Sequence, residues 1–225
     1  MSLRCRQPEP EIMDQPGLDP CEHHRALAAL GRVNWLSRTA ACLARELAAF
    51  QARQSRATLR ILDLACGGGD VVHQLARLRP DWHLAGCDLS PTALEYARRA
   101  GGHFFVQDLL AAPIPSGYDA LICSLFVHHL NDHQTRIFFQ RLRDSDARLI
   151  LISDLERCRA GLWSAYGITR LLTRSPVVHY DGPVSVRAAY TLPEIARLAR
   201  QAGLHGALLR RVWPFRWLLS WERPG

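Results

Sequence analysis

The sequence predicts an α/β fold: a three-layer sandwich whose seven-stranded sheet is mostly parallel and ends in an antiparallel C-terminal hairpin. Short apolar runs alternate with helical patterns through most of the 225 residues, which is typical of a parallel sheet with helices on both faces. A glycine-rich turn follows the first run, as at the mouth of a nucleotide-type pocket. Residues 208–213 and 215–221 form the predicted hairpin, with its turn at Pro214.

The parallel part of the sheet is built from five strand-like runs, each followed by a helical pattern or a loop. These runs lie near residues 59–64, 82–87, 103–107, 119–124 and 148–153. The helix after the fourth run is predicted to begin at Asn131, because Gln134 stands at capping-box spacing from it. The last helix repeats this device with Thr191 and Glu194, and it ends at Gly203.

The same pattern divides the chain into three segments. Residues 1–21 are Pro-rich and predicted to be loose, and residues 22–57 form a helical cap. Residues 58–225 carry the sheet, with an insertion at about 156–190. Within that insertion, the Asp-Gly-Pro sequence at residues 181–183 predicts a turn.

Composition limits the class of protein. With 48% hydrophobic residues, the chain can form one sizeable core. All 28 basic residues are arginine, so lysine-based chemistry is excluded, and the net charge of +7 is spread over predicted helix faces. We therefore expect a solvated surface and no nucleic-acid partner. Seven cysteines without paired spacing favour a reducing, cytoplasmic location, and no apolar run reaches membrane-spanning length.

The glycine-rich turn is the strongest local signal. The first apolar run carries Asp63, and the turn after it is formed by Ala65, Cys66, Gly67, Gly68 and Gly69. Glycines allow the backbone to approach a ligand closely, and the next helix directs its free N–H groups at that ligand. A dinucleotide fingerprint would need a third small residue where Val72 stands, so the spacing disfavours a nicotinamide cofactor.

Three further motifs follow the turn in order. Asp88 ends the second strand about twenty residues later, where a carboxylate can meet ribose hydroxyls. Asp108 and Leu109 follow the third strand, and Ser124 ends the fourth. Behind Ser124 comes the sequence Leu125-Phe126-Val127-His128-His129-Leu130.

Together these motifs resemble those of the class I S-adenosylmethionine-dependent methyltransferases, nearest to the quinone-biosynthesis and related small-molecule enzymes. The resemblance covers residues 58–155 well. It implies a Rossmann-like sheet, S-adenosyl-L-methionine as the cofactor and S-adenosyl-L-homocysteine as the product. The methionine end of the cofactor is then expected beside Asp63, Ala65, Cys66, Gly67 and Gly69. The rest of the implied set is Asp88 on the ribose, Leu89 on adenine, Asp108 with Leu109 at the adenine edge, and Ser124 near the amino-acid end.

Each acid in this set also has a structural interpretation. Asp63 could cap the glycine turn, and Asp108 could solvate a turn of its own. Asp88 could serve the dipole of the helix that begins at Ser90-Pro91. In the helical cap, Arg32 or Arg38 could meet the carboxylate of the cofactor.

Methyl transfer to a hydroxyl requires alignment and a group that accepts the proton. His128 and His129 follow the fourth strand, at the edge where open α/β sheets bind ligands, so either could be that base. Alternatively, they hydrogen-bond the backbone and fix the loop. No metal is expected, because Asp154 could supply one oxygen ligand but Ser124 stands where another carboxylate would be needed.

The sequence therefore predicts a cytoplasmic methyltransferase that methylates oxygen or carbon of a small, aromatic or hydrophobic acceptor, such as a polyketide phenol or a quinone precursor. The helical cap and the insertion are the segments expected to shape the acceptor pocket. Three alternatives stay open: an NAD-dependent oxidoreductase, a methyltransferase-like domain that binds without turnover, and an RNA methyltransferase. Affinity for NAD would identify the oxidoreductase, and cofactor binding without transfer to any acceptor would identify the binding domain. Tight, salt-sensitive RNA binding would identify the RNA methyltransferase.

Overall fold

The computed structural model describes residues 3–15 and 17–224 and contains one seven-stranded sheet flanked by helices. The strands are β1 (Arg60–Leu64), β2 (His83–Asp88), β3 (His103–Val106), β4 (Ala120–Ser124), β5 (Leu149–Leu155), β6 (Leu208–Val212) and β7 (Arg216–Glu222). The helices are α1 (Pro20–Leu36), α2 (Thr39–Arg53), α3 (Asp70–Leu78), α4 (Pro91–Arg98), α5 (Asp132–Asp144), α6 (Arg159–Leu172), α7 (Pro176–Ala188) and α8 (Leu192–Gln201). Pro16, in the segment predicted to be loose, lies outside the described residues.

The strand order β3-β2-β1-β4-β5-β7-β6 confirms the predicted fold class. The first five strands are parallel, whereas β7 runs antiparallel to β5 and β6 antiparallel to β7. Leu62 pairs with Ala85 on one side and Leu121 on the other, which makes β1 the centre of the parallel part. The carboxyl ends of β1, β2 and β4 therefore meet at one edge, where open α/β sheets bind ligands.

Helices cover both faces of the sheet and form two main cores. One core joins the sheet to α5 and α8, through residues such as Phe138, Phe139 and Ile195. The other joins it to α2 and α3, through Leu43 and Leu75. Because both faces are covered, the central strands are apolar along nearly their whole length.

The predicted helical cap is two helices with different roles. The chain leaves the helical conformation between α1 and α2, where Arg38 is left-handed with φ of 53°. Helix α2 packs on the sheet as one of its covering helices, with Leu47 and Phe50 fully buried. Of these two helices, α1 is the one that lies over the ligand-binding edge of the sheet. None of the described helices is long and apolar enough to cross a membrane.

The insertion folds into α6 and α7, and the turn predicted at residues 181–183 is wrong because these residues lie inside α7. Helix propensity is poor there, but packing decides the outcome. A Cβ atom on Gly182 would lie 2.8 Å from the Thr169 side chain, so the glycine allows α7 to approach α6 closely. The glycine therefore serves helix packing instead of a turn.

The N-terminal strap, residues 3–19 without Pro16, has no helix or strand but makes many contacts with the body of the protein. The Arg6 guanidinium donates hydrogen bonds to the carbonyls of His128 and Leu130, each at 2.9 Å. The backbone N–H groups of Ile12 and Met13 donate to the Asp181 carboxylate. The strap thus lies across the sheet edge, where the sequence predicted a loose segment.

Candidate active site

A cavity of about 770 Å³ opens at the carboxyl ends of the parallel strands. The glycine turn and the loops after β2, β3 and β4 form its floor. The strap, α1, α6, α7 and the turn before β7 form its walls and roof. Its volume lies within the usual range for small-molecule and cofactor sites.

Asp88 connects the glycine turn to the first residues of α4. Its two carboxylate oxygens accept hydrogen bonds from the backbone N–H groups of Gly67 and Ser90, both at 2.8 Å. Burial raises the pKa of Asp88, and the two amide bonds partly oppose that rise. Asp88 therefore performs the structural task considered from the sequence while also lining the cavity.

Two of the predicted cofactor residues lie behind the cavity wall. Asp63 is buried beneath the turn, and neither of its carboxylate oxygens has a hydrogen-bond partner in the described part of the chain. Its burial, with Asp70 and Asp88 nearby, raises its pKa well above the usual value. Gly69 adopts φ of 72°, and a Cβ atom there would lie 2.8 Å from Phe104, so this glycine shapes the turn.

The other eight predicted cofactor residues line the cavity together: Ala65, Cys66, Gly67, Asp88, Leu89, Asp108, Leu109 and Ser124. Leu109 is buried, whereas the Leu89 side chain is exposed, as expected of an apolar group that awaits a ligand. Asp108 accepts hydrogen bonds from the N–H groups of Leu110 and Ala111 through Oδ1 alone.

A polar cluster beside the glycine turn lines another part of the cavity with Asn34, Asp70 and Arg216, and Thr39 supports it from behind. Arg216 is buried and donates through its two terminal nitrogens to Thr39 Oγ1 and to Asn34 Oδ1, the latter at 3.1 Å. Arg216 Nε and Asp70 Oδ2 have no partner among the described residues. Burial lowers the pKa of Arg216 to about 10, so it is protonated at neutral pH.

These unpartnered groups fit an amino-acid end of a ligand. A carboxylate can accept from the free Arg216 N–H, and an ammonium group can donate to Asp70, which relieves the cost of two buried unpaired polar atoms. Neither Arg32 nor Arg38 lines the cavity, and Arg32 Nε donates instead to the Leu172 carbonyl at 3.2 Å. The positively charged side chain beside the glycine turn therefore comes from β7 and not from the helical cap.

A second part of the cavity is the histidine end, defined by Glu11, His128 and His129. His128 Nδ1 lies 2.7 Å from Asp154 Oδ1, and Nε2 lies 3.4 Å from Glu11 Oε1. Burial acts to lower the pKa of His128, but Asp154 and Glu11 outweigh it and raise that pKa to about 10.

His129 differs from its neighbour because it is less buried. Its Nδ1 atom lies 3.0 Å from Asp14 Oδ2 of the strap, and its side chain is 27% exposed. Both imidazoles line the cavity, so the structure brings the two predicted catalytic residues to one place. Each has a carboxylate on its Nδ1 atom, and this fixes the orientation of both rings.

Apolar side chains line much of the rest of the cavity. The strap, α1, the loop after β4, α6, α7 and the turn before β7 contribute Met13, Leu18, Leu30, Phe126, Ile168, Val178, Val186 and Phe215. A chamber with these walls suits a hydrophobic, planar molecule that presents one polar group to the imidazoles.

Comparison with known proteins agrees with this geometry. A family profile described as "Methyltransferase domain" matches residues 61–145, which span the glycine turn, Asp88, Asp108 and both histidines. Residues 61–145 are a methyltransferase domain. The predicted resemblance to the methyltransferases is confirmed. The cofactor that it implies is present, as SAM or SAH, in solved structures that share the fold.

Similar curated proteins extend over most of the chain. An uncharacterized methyltransferase of Mycobacterium bovis is 26% identical over 176 residues, which are 73% of this chain and 87% of that protein. A ubiquinone biosynthesis O-methyltransferase of Bordetella parapertussis is 27% identical over 206 residues, covering 85% of this chain and 76% of its own length.

Solved structures share the fold at lower identity. Human N-acetylserotonin methyltransferase in complex with SAM aligns with a TM-score of 0.67 at 14% identity, covering 92% of this chain and 57% of that one. The plantazolicin methyltransferase in complex with SAH aligns with a TM-score of 0.60 at 17% identity, covering 90% and 96%. The chain spans only about half the length of several matched structures, for example 51% of the methyltransferase SibL.

Sequence reasoning missed four residues that the structure brings to the cavity: Glu11, Asn34, Asp70 and Arg216. Asp70 directly follows the glycine turn, and Arg216 is a lone charge at the start of an apolar strand. Those two positions carried a weak signal. Glu11 carried none, because its place depends on where a segment without regular structure crosses the sheet edge.

Proposed function

We propose that this protein transfers a methyl group from S-adenosylmethionine to a hydroxyl group on a small, hydrophobic and aromatic acceptor. The observation that carries the proposal is the histidine end, where two carboxylate-oriented imidazoles face an apolar chamber. The similarity to ubiquinone biosynthesis O-methyltransferases supports oxygen as the methylated atom.

The cofactor is proposed to lie between the glycine turn and the loops after β2 and β3. Arg216 and Asp70 would hold its carboxylate and ammonium groups, and Asp88 its ribose hydroxyls. Leu89 and Leu109 would enclose the adenine, with Asp108 at the adenine edge. When bound, S-adenosylmethionine supplies a methyl group already activated by the positive charge on sulfur.

The acceptor is proposed to enter the chamber under the strap and to point its hydroxyl at the histidine end. His128 is committed to Asp154 and Glu11, so His129 is the imidazole with more freedom to contact the hydroxyl. We assign to this end the polarisation of the acceptor O–H bond, which raises the nucleophilicity of the oxygen. The apolar walls exclude water and strengthen that interaction.

The test is methyl transfer from labelled cofactor to a panel of hydroxylated aromatic acceptors, each paired with its methyl ether. We expect O-methyl products from the free hydroxyls and none from the ethers, whereas C-methylation would also label the ethers. His129→Ala should lower kcat by about 10²- to 10⁴-fold. The affinity for S-adenosylhomocysteine should stay within about twofold, because the cofactor groups are untouched.

His205→Ala is the matched control, since His205 is exposed and does not line the cavity. It should retain full turnover. If His128→Ala and His129→Ala both kept full turnover with unchanged pH dependence, the role of the histidine end would be rejected. Failure to methylate any acceptor, with tight cofactor binding, would favour a binding domain without turnover.

A further inference from the structure

The histidine end has the composition of a transition-metal site. One ligand atom from each of Glu11, His128 and His129 lies within 4.8 Å of the other two. Within the described part of the chain, these form the only such group of three histidine, cysteine or acidic side chains. Two imidazoles with one carboxylate is a ligand set that suits Zn²⁺ and related first-row cations, whereas Mg²⁺ and Ca²⁺ prefer oxygen ligands throughout.

The distances also fit an ion between the ligands. His128 Nε2 and Glu11 Oε1 are 3.4 Å apart, which is long for a charge-assisted hydrogen bond. In a tetrahedral site with metal–ligand bonds of about 2.0–2.1 Å, two ligand atoms lie about 3.3 Å apart. The contact on the other nitrogen of His128, 2.7 Å to Asp154, is by contrast an ordinary strong hydrogen bond.

Each of these three side chains also contacts a polar side chain outside the group. Asp154 accepts from His128 Nδ1, which leaves Nε2 free to be a ligand, and Asp14 lies beside His129 Nδ1. The Ser185 hydroxyl donates to Glu11 Oε1 at 2.5 Å. Such carboxylate–histidine–metal arrangements orient the ligands and increase their basicity, and they recur at protein metal sites.

We propose that Glu11, His128 and His129 form a binding site for a divalent transition-metal ion at the acceptor end of the cavity. Three protein ligands leave at least one coordination position open toward the cavity, as at catalytic zinc sites. Because metal ligands must be deprotonated, His128 would bind the ion through an unprotonated Nε2 atom.

This inference deepens the proposed function and rests on it for its consequence. An acceptor oxygen in the open position would be polarised by the cation, which lowers the pKa of a bound hydroxyl. The imidazoles would then act on the hydroxyl through the ion. Glu11 would also make the strap part of the site.

The experiment is a titration of the chelator-treated, full-length protein with Co²⁺, followed by visible absorption. We expect one equivalent to bind and to give the ligand-field bands of a four- or five-coordinate ion. Glu11→Gln keeps the shape of the side chain but is a poor ligand, and His129→Ala removes one imidazole. Both variants should bind Co²⁺ at least about tenfold more weakly.

His205→Ala again serves as the control and should bind like the wild type. Calorimetric binding of S-adenosylhomocysteine shows that each variant is folded, because that ligand contacts other residues. If the wild type bound no Co²⁺, or if Glu11→Gln and His129→Ala bound it as tightly as the wild type, the site would be refuted. Since this readout needs no acceptor, it stands or falls independently of methyl transfer.

Discussion

Arg216 shows how one buried side chain can prepare a site for a charged ligand. Its terminal nitrogens are fixed by Asn34 and Thr39, and its Nε–H group lacks a partner. A buried donor without a partner costs about 1–3 kcal/mol. A ligand carboxylate that accepts this N–H would recover the cost and gain a charge-assisted bond at a nitrogen that is already held in place.

Arg216→Gln should therefore weaken binding of S-adenosylhomocysteine by about 10- to 100-fold, measured by titration calorimetry. An analogue that lacks the carboxylate should bind wild type and variant equally. Arg210→Gln is the matched control, because Arg210 pairs with Glu46 on the surface. Arg32→Gln should also leave binding unchanged. Equal weakening for both ligands would show that Arg216 supports the fold only.

Asp181 holds the strap through a carboxyl group whose pKa changes on folding. Burial raises its pKa to about 6, with Glu11 and Asp14 adding to the rise and the N–H groups of Ile12 and Met13 opposing it. Between the unfolded value near 4 and about 6, the native protein binds more protons than the unfolded chain. The stability from this group is therefore complete at low pH and lost as pH rises through 6.

Denaturant unfolding of wild type and Asp181→Asn at pH 4 and pH 7 tests this sign. Relative to the variant, which cannot ionise there, the wild type should lose about 1–2 kcal/mol over that range after allowance for solvent screening. A difference between the two proteins that is constant with pH would mean that Asp181 has an ordinary pKa.

At the scale of elements, α6 and α7 form the roof of the chamber and depend on close approach. Gly182 lies within α7 and faces Thr169 of α6. Gly167 lies in α6, and no other described part of the chain comes within 4 Å of the position that a Cβ atom would take there. The two positions share a helical backbone but have opposite packing. Alanine substitutions at the two positions therefore distinguish the effect of helix propensity from the effect of contact between the helices.

Gly182→Ala should destabilise the protein by about 1–3 kcal/mol, because a Cβ atom 2.8 Å from Thr169 forces the helices apart. Gly167→Ala should instead be neutral or stabilising by up to about 1 kcal/mol, because alanine has the higher helix propensity. Chemical denaturation gives both values. A Gly182→Ala protein as stable as Gly167→Ala would show that α6 and α7 can separate without cost.

For the whole molecule, the parts that the sequence predicted well are those set by local pattern. The seven strands, the capping boxes at Asn131 and Thr191 and the hairpin at Pro214 follow from periodicity and from residues close in sequence. The position of all but two of the proposed cofactor residues on the cavity wall follows from the glycine turn and the strand ends.

The parts that could not be predicted depend on contacts between distant segments. Glu11 meets His128 across more than a hundred residues because the strap crosses the sheet edge, and no local signal fixes that path. The helix through residues 181–183 forms against its propensity because α6 packs on it. Arg216 becomes a site residue only because β7 inserts beside β5 in the sheet.

The choice of cofactor depends on the whole ligand-binding edge of the sheet. A dinucleotide would place its pyrophosphate at the first turn of α3, but Asp70 begins that helix and its buried carboxyl group would meet the phosphates. S-adenosylhomocysteine at about 100 times its Kd should stabilise the protein by about 2.7 kcal/mol. For a domain of this size, that corresponds to a rise in Tm of about 5–10 °C by scanning calorimetry. NAD and NADH should leave Tm unchanged at the same concentration; a comparable rise with either coenzyme would contradict the methyltransferase assignment of this cavity.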